Sequence, residues 1–181
     1  MKITKQKAIA IPVVTAATGD QKFLTARDRR FQEWLFITGG SRRREVNAPL
    51  KTALRELEEE TRGVVQLKRG EYTEYSFTID DDGVELVYNV FILFCTFTEH
   101  EQNEIIRKFG EEQQKTQLRK ARKEPVKRVY DENDVLAWET LADFEKHEKK
   151  WALIVDNVIL SNKFYESLRA QNEDRKTFCI Q

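Results

Sequence analysis

The chain has 181 residues, of which 40% are hydrophobic and 34% charged, so it can bury a core without disulfides or a structural metal. Its 31 basic and 31 acidic residues cancel, which argues against a wholly basic nucleic-acid binder but allows a local basic patch. Two cysteines, Cys95 and Cys179, are too few for a disulfide scaffold or a zinc site. The sequence contains neither a signal-peptide pattern nor a stretch of membrane-spanning length. We therefore expect a soluble, intracellular and cytoplasmic protein without membrane contacts.

Apolar runs predict a chain rich in strands. The predicted strands are 7–17, 21–28, 34–37, 64–79, 84–98 and 135–138. Pro12 marks an edge or a bulge of the first strand, because proline lacks the N–H that a central strand uses. The turn Asp80-Asp81-Asp82-Gly83 predicts that 72–79 and 84–98 form a hairpin.

Three further stretches predict helices. Pro49 suits the first turn of a helix, and the apolar residues after it recur at spacings of three and four, with Gly63 as the expected end. Residues 101–128 predict a charged helical insertion, and residues 141–171 predict one or two packed C-terminal helices. This order predicts a single domain over 1–181 of the α/β (α+β) class, with a mixed sheet and helices on its faces.

Carboxylates on the first helix are the strongest functional signal. Glu56, Glu59 and Glu60 stand at i, i+3 and i+4, so they converge on one helical face. Their mutual repulsion would be removed by Mg²⁺ or Mn²⁺, which prefer oxygen ligands. A solvated acidic surface is the alternative interpretation. Gly39 and Gly40, upstream, favour the metal site because glycines let the backbone approach a metal and its phosphate.

Residues 39–64, GGSRRREVNAPLKTALRELEEETRGV, resemble the box of the Nudix family, G-x5-E-x7-R-E-U-x-E-E-x-G-U with U a bulky aliphatic residue. Arg55, Glu56, Leu57, Glu59 and Glu60 match R-E-U-x-E-E. The resemblance implies a Nudix-like mixed sheet sandwiched between helices. It also implies a metal-dependent hydrolase that cleaves a diphosphate linkage by water attack, with Mg²⁺ or Mn²⁺ as cofactor. Glu56, Glu59 and Glu60 would bind the metal, and Glu59, Glu60 and Arg55 would be catalytic.

Two departures from the box concern its spacing. Nine residues rather than seven separate Glu45 from Arg55, so counting back from Arg55 puts Asn47 at the first glutamate position. The loop therefore has about two extra residues, and the role of Glu45 is left open. Arg62 stands where the closing glycine is expected, and Gly63 follows one place late.

Residues outside the box supply further candidates. Glu99 and Glu101 follow the long apolar strand, where they would provide an additional metal ligand or base, or be simple surface charges. Two sets of basic residues predict contacts with phosphate or RNA, with surface charge as the alternative. They are Arg27, Arg29, Arg42 and Arg43 near the glycine loop, and Lys120, Arg122 and Lys123 within the basic segment 115–128.

The expected substrate is a nucleotide or capped RNA. The basic segment favours hydrolysis of the mRNA 5′ cap with release of m7GDP, since decapping members of the Nudix family, including those of large DNA viruses, combine such a box with extra basic helical material. The alternatives are small nucleotides, such as nucleoside triphosphates and dinucleoside polyphosphates, and diphosphoinositol polyphosphates. An inactive Nudix domain that only binds nucleotide or RNA is the alternative of another class.

Overall fold

The computed structural model describes residues 2–180, so the ends of the predicted 1–181 domain lie outside the described residues. Its strands are β1 (Ile3–Thr15), β2 (Gln21–Asp28), β3 (Trp34–Leu35), β4 (Ile37–Gly40), β5 (Arg69–Asp81), β6 (Val84–Cys95), β7 (Asn133–Glu139) and β8 (Lys176–Cys179). Its helices are α1 (Pro49–Glu60), α2 (Glu99–Ala121), α3 (Leu141–Glu145), α4 (Ala152–Ile154), which continues as the π-helical turn Val155–Ile159, and α5 (Asn162–Leu168). In this part of the chain, no helix has both the length and the apolarity needed to cross a membrane.

The strands form one mixed sheet in the order β3-β2-β1-β6-β5-β8, with β4 paired to β1 and β7 paired to β2. β1 and β6 are the central, parallel pair, in register from Ile3 opposite Val84 to Val14 opposite Cys95. The other pairings are antiparallel. Central strands covered on both faces are apolar throughout, which explains the continuous hydrophobic composition of β6.

Side chains of the central strands alternate between two cores. Ala8 and Phe91 pack on one face with apolar residues of α1 and α2. Ile9 and Ile92 pack on the opposite face with residues of α3, α4 and α5. The predicted mixed sheet between helical layers is therefore confirmed.

The hairpin of β5 and β6 follows from its turn residues. Asp82 and Gly83 have φ values of 51° and 84°, and positive φ at both central positions is typical of the two-residue type I′ turn. The predicted hairpin is confirmed, but its first strand is shorter than the predicted 64–79 at the beginning, because residues 64–68 form an irregular connection before β5.

Two other expectations need refinement. Of the two alternatives for Pro12, an edge is excluded because β1 has neighbours on both sides. Pro12 instead lies where pairing on one side is interrupted, between the residues paired with β4 (7–10) and those paired with β2 (13–15). The C-terminal part of the chain forms three short helices rather than one or two, and it adds strand β8, which pairs with β5.

Candidate active site

Helix α1 presents its carboxylates to strand β4, which pairs with the central strand β1. Ala53, Leu54 and Leu57 are buried against β1 and its neighbours, so the face that bears Glu56 and Glu60 is turned towards β4. Pro49 occupies the first turn, as predicted. The amphipathic pattern of the helix therefore determines where its acidic residues lie.

Gly39 and Glu56 are in direct contact. A Cβ atom added to Gly39 would lie 1.9 Å from Cδ of Glu56, far inside any normal contact. Because Gly39 has no side chain, the Glu56 carboxylate can occupy the space where a Cβ atom would lie. The pKa of Glu56 is raised to about 7, mainly by burial, although Arg55 acts in the opposite direction.

Arg55 connects α1 to the preceding loop. Its Nε and Nη2 donate to the two carboxylate oxygens of Glu45, both at 2.8 Å, and Nη2 also donates to the carbonyl oxygen of Gly40 at 2.9 Å. Its Nη1 donates to Glu56 and to Glu59, each at 3.0 Å. The five hydrogen bonds use the planar fork of the guanidinium, which lysine cannot reproduce.

Glu45 contacts Arg55 in spite of the longer loop. Glu45, and not Asn47, is the partner of Arg55, and its carboxylate also accepts from the backbone N–H of Arg42 at 2.9 Å and from Thr52 at 3.2 Å. These bonds, with Arg55 first, lower the pKa of Glu45 to about 2. The extra loop residues form a 3-10 turn at Arg43–Glu45 and the link to Pro49.

Glu59 is held by two arginines. One carboxylate oxygen accepts from Arg42 Nη2 at 2.8 Å and the other from Arg55 Nη1 at 3.0 Å. Among residues 2–180, no three Asp, Glu, His or Cys side chains are already gathered as a formed metal centre. In this arrangement, arginine cations neutralise the carboxylate of Glu59.

Glu60 is the most buried of the acidic residues on α1. Its Oε2 atom is buried and has no hydrogen-bond partner among the described residues. The pKa of Glu60 is raised well above its ordinary value, first by burial and then by the nearby carboxyl groups of Glu132 and Glu56. A buried, unpartnered oxygen of this kind is suited to a ligand that supplies positive charge.

Glu132 is the site residue that sequence reasoning missed. It lies in the connection before β7 and faces Glu60, whose pKa it helps to raise. The segment Asp131-Glu132-Asn133-Asp134 has the composition of a polar turn, and only its proximity to Glu60 in space distinguishes Glu132. The predicted extra acids lie elsewhere: Glu101 forms a capping box with Thr98 at the start of α2.

Several predicted phosphate ligands are instead bound to acidic residues. Arg27 pairs with Asp134 at 3.0 Å and Arg29 pairs with Asp131 at 3.3 Å, while Lys120 also pairs with Asp131. Arg42 is exposed as well but pairs with Glu59 at 2.8 Å. Arg43, Arg122 and Lys123 are exposed. Sequence reasoning treated these basic residues as equivalent, whereas the structure pairs Arg27, Arg29, Arg42 and Lys120 with acidic side chains.

A cavity of about 600 Å³ opens beside Glu60 and Glu132. Lys5 and Lys7 of β1 line it, and Phe31 and Trp151 contribute aromatic rings to its wall. Phe31 is 59% exposed, so its ring is accessible from the cavity. The cavity therefore combines acidic, basic and aromatic groups.

The family model of the NUDIX domain matches residues 4–154. The chain belongs to the Nudix family. Nudix enzymes are hydrolases that act on pyrophosphate bonds, and this protein is a member of that class. No curated protein matches its sequence.

Solved structures with this fold include other Nudix proteins. A C. elegans Ap4A hydrolase complex has a TM-score of 0.52 and 12% identity, covering 91% of this chain and 93% of that one. The NUDIX domain of Shewanella oneidensis NrtR complexed with ADP ribose has a TM-score of 0.51 and 13% identity, covering 83% and 81%. A Listeria monocytogenes NUDIX hydrolase has a TM-score of 0.50 and 18% identity, covering 94% and 97%. At these identities the likeness shows a shared fold.

Proposed function

We propose that this protein is a metal-dependent pyrophosphohydrolase of nucleotide substrates, with Glu56, Glu59 and Glu60 as ligands of Mg²⁺ or Mn²⁺. The observation that carries the proposal is the cavity lined by Glu60 and Glu132, where a phosphate chain would meet these two carboxylates and the lysines Lys5 and Lys7. The ADP ribose and Ap4A named for the two similar structures are nucleotides with diphosphate linkages, which is the chemistry that such a cavity suits.

The acidic residues fit a hard divalent cation. They offer carboxylate oxygens, and Oε2 of Glu60 has no protein partner among residues 2–180. The Arg42 side chain is 62% exposed, so it can leave Glu59 at small cost and turn towards a phosphate. When bound, the cation would neutralise phosphate charge and lower the pKa of the attacking water.

The protein's own groups would position the reactants. Gly39 and Gly40, predicted as a loop, are the last two residues of β4, and Arg55 ties Glu56 and Glu59 to the carbonyl oxygen of Gly40. Lys5 and Lys7 would bind phosphate oxygens, while Phe31 and Trp151 offer surfaces on which a base can stack. Glu132 faces the same cavity and would complete the set as an additional ligand or as the acceptor of the water proton.

Two isosteric substitutions on α1 test the assignment. Glu60→Gln should reduce kcat with Mg²⁺ or Mn²⁺ by at least a hundredfold, because it removes a metal ligand from the buried end of the site. Glu58→Gln is the matched control, because Glu58 belongs to the same helix but not to the proposed set of metal ligands. Equal rates for the two variants would exclude Glu60 as a metal ligand.

mRNA decapping is the second candidate, favoured by one contact. Lys120 pairs with Asp131, next to Glu132, so the basic end of α2 lies alongside the cavity. An RNA chain that leaves the cavity could follow the exposed Arg122 and Lys123. Capped RNA, free cap analogue, GTP, a dinucleoside polyphosphate and a diphosphoinositol polyphosphate should be compared in one assay.

The substrate comparison separates the possibilities. Release of m7GDP from long capped RNA at a much higher kcat/KM than from free cap analogue would establish decapping. Preference for GTP or a dinucleoside polyphosphate would establish a small-nucleotide hydrolase, and preference for the diphosphoinositol would establish that third class. Binding without turnover of any of them would identify an inactive Nudix domain and contradict the proposed activity.

A further inference from the structure

Arg62 stands where the Nudix box has glycine, and it keeps a backbone conformation that favours glycine. Its φ is 59°, in the left-handed region that larger residues rarely adopt. Its side chain is only 2% exposed, although arginine is among the residues least often buried. Both features are unfavourable, so the contacts of this side chain must offset them.

Those contacts join three parts of the fold. Arg62 Nη1 donates to Oγ1 of Thr116 on α2 at 2.7 Å, and Nη2 donates to the carbonyl oxygen of Asn133 at 3.2 Å. Nη2 also lies 3.6 Å from a carboxylate oxygen of Asp131, and the guanidinium lies over the ring of Phe109. One side chain at the end of α1 thus binds both α2 and the segment 131–134.

The segment 131–134 contains Glu132, and basic side chains contact the neighbouring residue of the segment, Asp131. Arg29 and Lys120 also pair with Asp131, and the backbone N–H of Arg29 donates to the carbonyl oxygen of Glu132 at 2.9 Å. The Arg29 and Lys120 side chains are 54% and 44% exposed, so their ion pairs are weakened by water. The buried guanidinium of Arg62 is the rigid member of the group.

We propose that Arg62 is a positioning residue, which fixes the segment 131–134 so that Glu132 lies beside Glu60 in the wall of the cavity. This inference rests on the role proposed above for Glu132 in hydrolysis. Glycine at position 62 would satisfy the backbone but would leave Asp131 and the carbonyl oxygen of Asn133 without this partner. Arginine in place of the glycine of the Nudix box would then help to position a residue of the site.

Arg62→Gly is the direct test, because glycine suits the φ of this position. We expect the variant to fold, the amides of 131–134 to exchange hydrogen at least tenfold faster, and kcat to fall about tenfold with KM within twofold. Thr116→Val is the matched control, since it removes the bond to α2 and leaves both contacts to the segment. Its exchange in 131–134 and its kcat should stay near the wild-type values.

A double variant tests whether Arg62 acts through Glu132. In a Glu132→Gln background, Arg62→Gly should cause no further loss of kcat, because the group that it positions is already removed. Independent, multiplicative losses would overturn the inference. Arg62→Lys serves if Arg62→Gly does not fold: it keeps the charge but lacks the fork, and we expect intermediate exchange and intermediate kcat.

The outcomes separate this inference from the proposed function. If Glu132→Gln hydrolyses substrate at the wild-type rate, Glu132 has no role in hydrolysis. Arg62 then cannot affect kcat by positioning Glu132. Unchanged hydrogen exchange in 131–134 of the arginine variants would overturn the positioning role whatever the activity. Faster exchange together with a reduced kcat that depends on Glu132 would support both.

Discussion

At the scale of single residues, Gly39 has the most direct link to the proposed chemistry. The Glu56 carboxylate occupies the volume in which any other residue at position 39 would place its Cβ. The side chain of Glu56 can rotate away, whereas the strand backbone cannot. A larger residue at 39 should therefore displace the carboxylate and leave the fold intact.

We predict that Gly39→Ala reduces kcat about a hundredfold, since a shift of about 1 Å in a catalytic group can cost that much. Gly40→Ala is the control, because its added Cβ would meet only the end of the Lys7 side chain, at 3.4 Å. Steady-state kinetics and thermal melting of both variants provide the measurements. Similar kcat values for the two alanine variants would show that the space at Gly39 is unimportant.

The Glu45–Arg55 pair predicts a pH-dependent stability. The pKa of Glu45 falls from 4.5 to about 2 through its hydrogen bonds with Arg55. A group with a lowered pKa stabilises the fold above its unfolded value, and this contribution is lost as pH falls towards the folded value. The full shift corresponds to about 3 kcal/mol at 1.36 kcal/mol per pKa unit, and screening by solvent reduces the contribution below this upper bound.

We therefore expect Glu45→Gln to be less stable than wild type at pH 7, by up to about 3 kcal/mol. The difference should shrink between pH 4.5 and pH 2, where Glu45 of the wild type becomes protonated. Urea unfolding of both proteins at pH 7, 4 and 2.5 measures it. A constant difference over this range would show that ionisation of Glu45 does not contribute.

At the scale of elements, α2 contains basic residues with different surroundings. Lys120 is bound to Asp131, whereas Arg122 and Lys123 are exposed at the end of the helix. Lys123 has a φ of 57°, so Lys123→Gly removes its charge without backbone strain. The structure thus allows RNA contacts to be altered separately from the site.

We predict that Arg122→Ala combined with Lys123→Gly weakens binding of capped RNA about tenfold at low salt, because two phosphate contacts are removed. Hydrolysis of free nucleotide should not change. Lys120→Ala should slow free-nucleotide hydrolysis a few-fold, since Asp131 loses a partner. RNA affinity that is insensitive to the double variant would contradict an RNA path along α2.

The sequence predicts those elements whose pattern is local. β2 has the predicted bounds, 21–28, and α1 begins at Pro49 as its proline and apolar spacing indicate. β8 has only four residues and owes its conformation to pairing with β5, which local composition does not reveal. Strand propensity depends on such neighbours, so short strands of this kind are missed.

Dependence on long-range contacts also explains which candidate site residues the sequence predicted and which it missed. Glu56, Glu59 and Glu60 belong to one helix, and a regular spacing brings them together. Glu132 approaches Glu60 only because β7 pairs with β2 and because basic side chains hold its segment. Arg29 and Lys120 pair with Asp131, which becomes their neighbour only in the folded chain. The sequence does not reveal this pairing, and therefore both residues were predicted as phosphate ligands.

At the scale of the whole molecule, metal binding should be linked to stability. Glu132 raises the pKa of both Glu56 and Glu60, and Glu56 adds to the rise at Glu60, beyond the effect of burial. A cation that binds only the folded state stabilises it by RT ln(1 + [L]/Kd), about 2.7 kcal/mol at a hundredfold excess over Kd.

We predict that Mn²⁺ at this excess raises Tm by roughly 5–10 °C over the value in EDTA. Glu60→Gln should abolish the rise, yet be at least as stable as wild type in EDTA, because it removes a buried carboxyl. Glu58→Gln should keep the full rise. Melting curves with Mn²⁺ and with EDTA measure these changes in Tm. An equal increase in Tm for wild type, Glu60→Gln and Glu58→Gln would show that the cation binds elsewhere.

The buried guanidinium of Arg62 also has an evolutionary consequence. Its bonds to Thr116, Asn133 and Asp131 give a reason to keep arginine at this strained position only while all three partners are present. Arginine at position 62 and the long helix α2 should therefore be inherited together. In homologues that lack α2, selection should favour glycine at the position equivalent to 62.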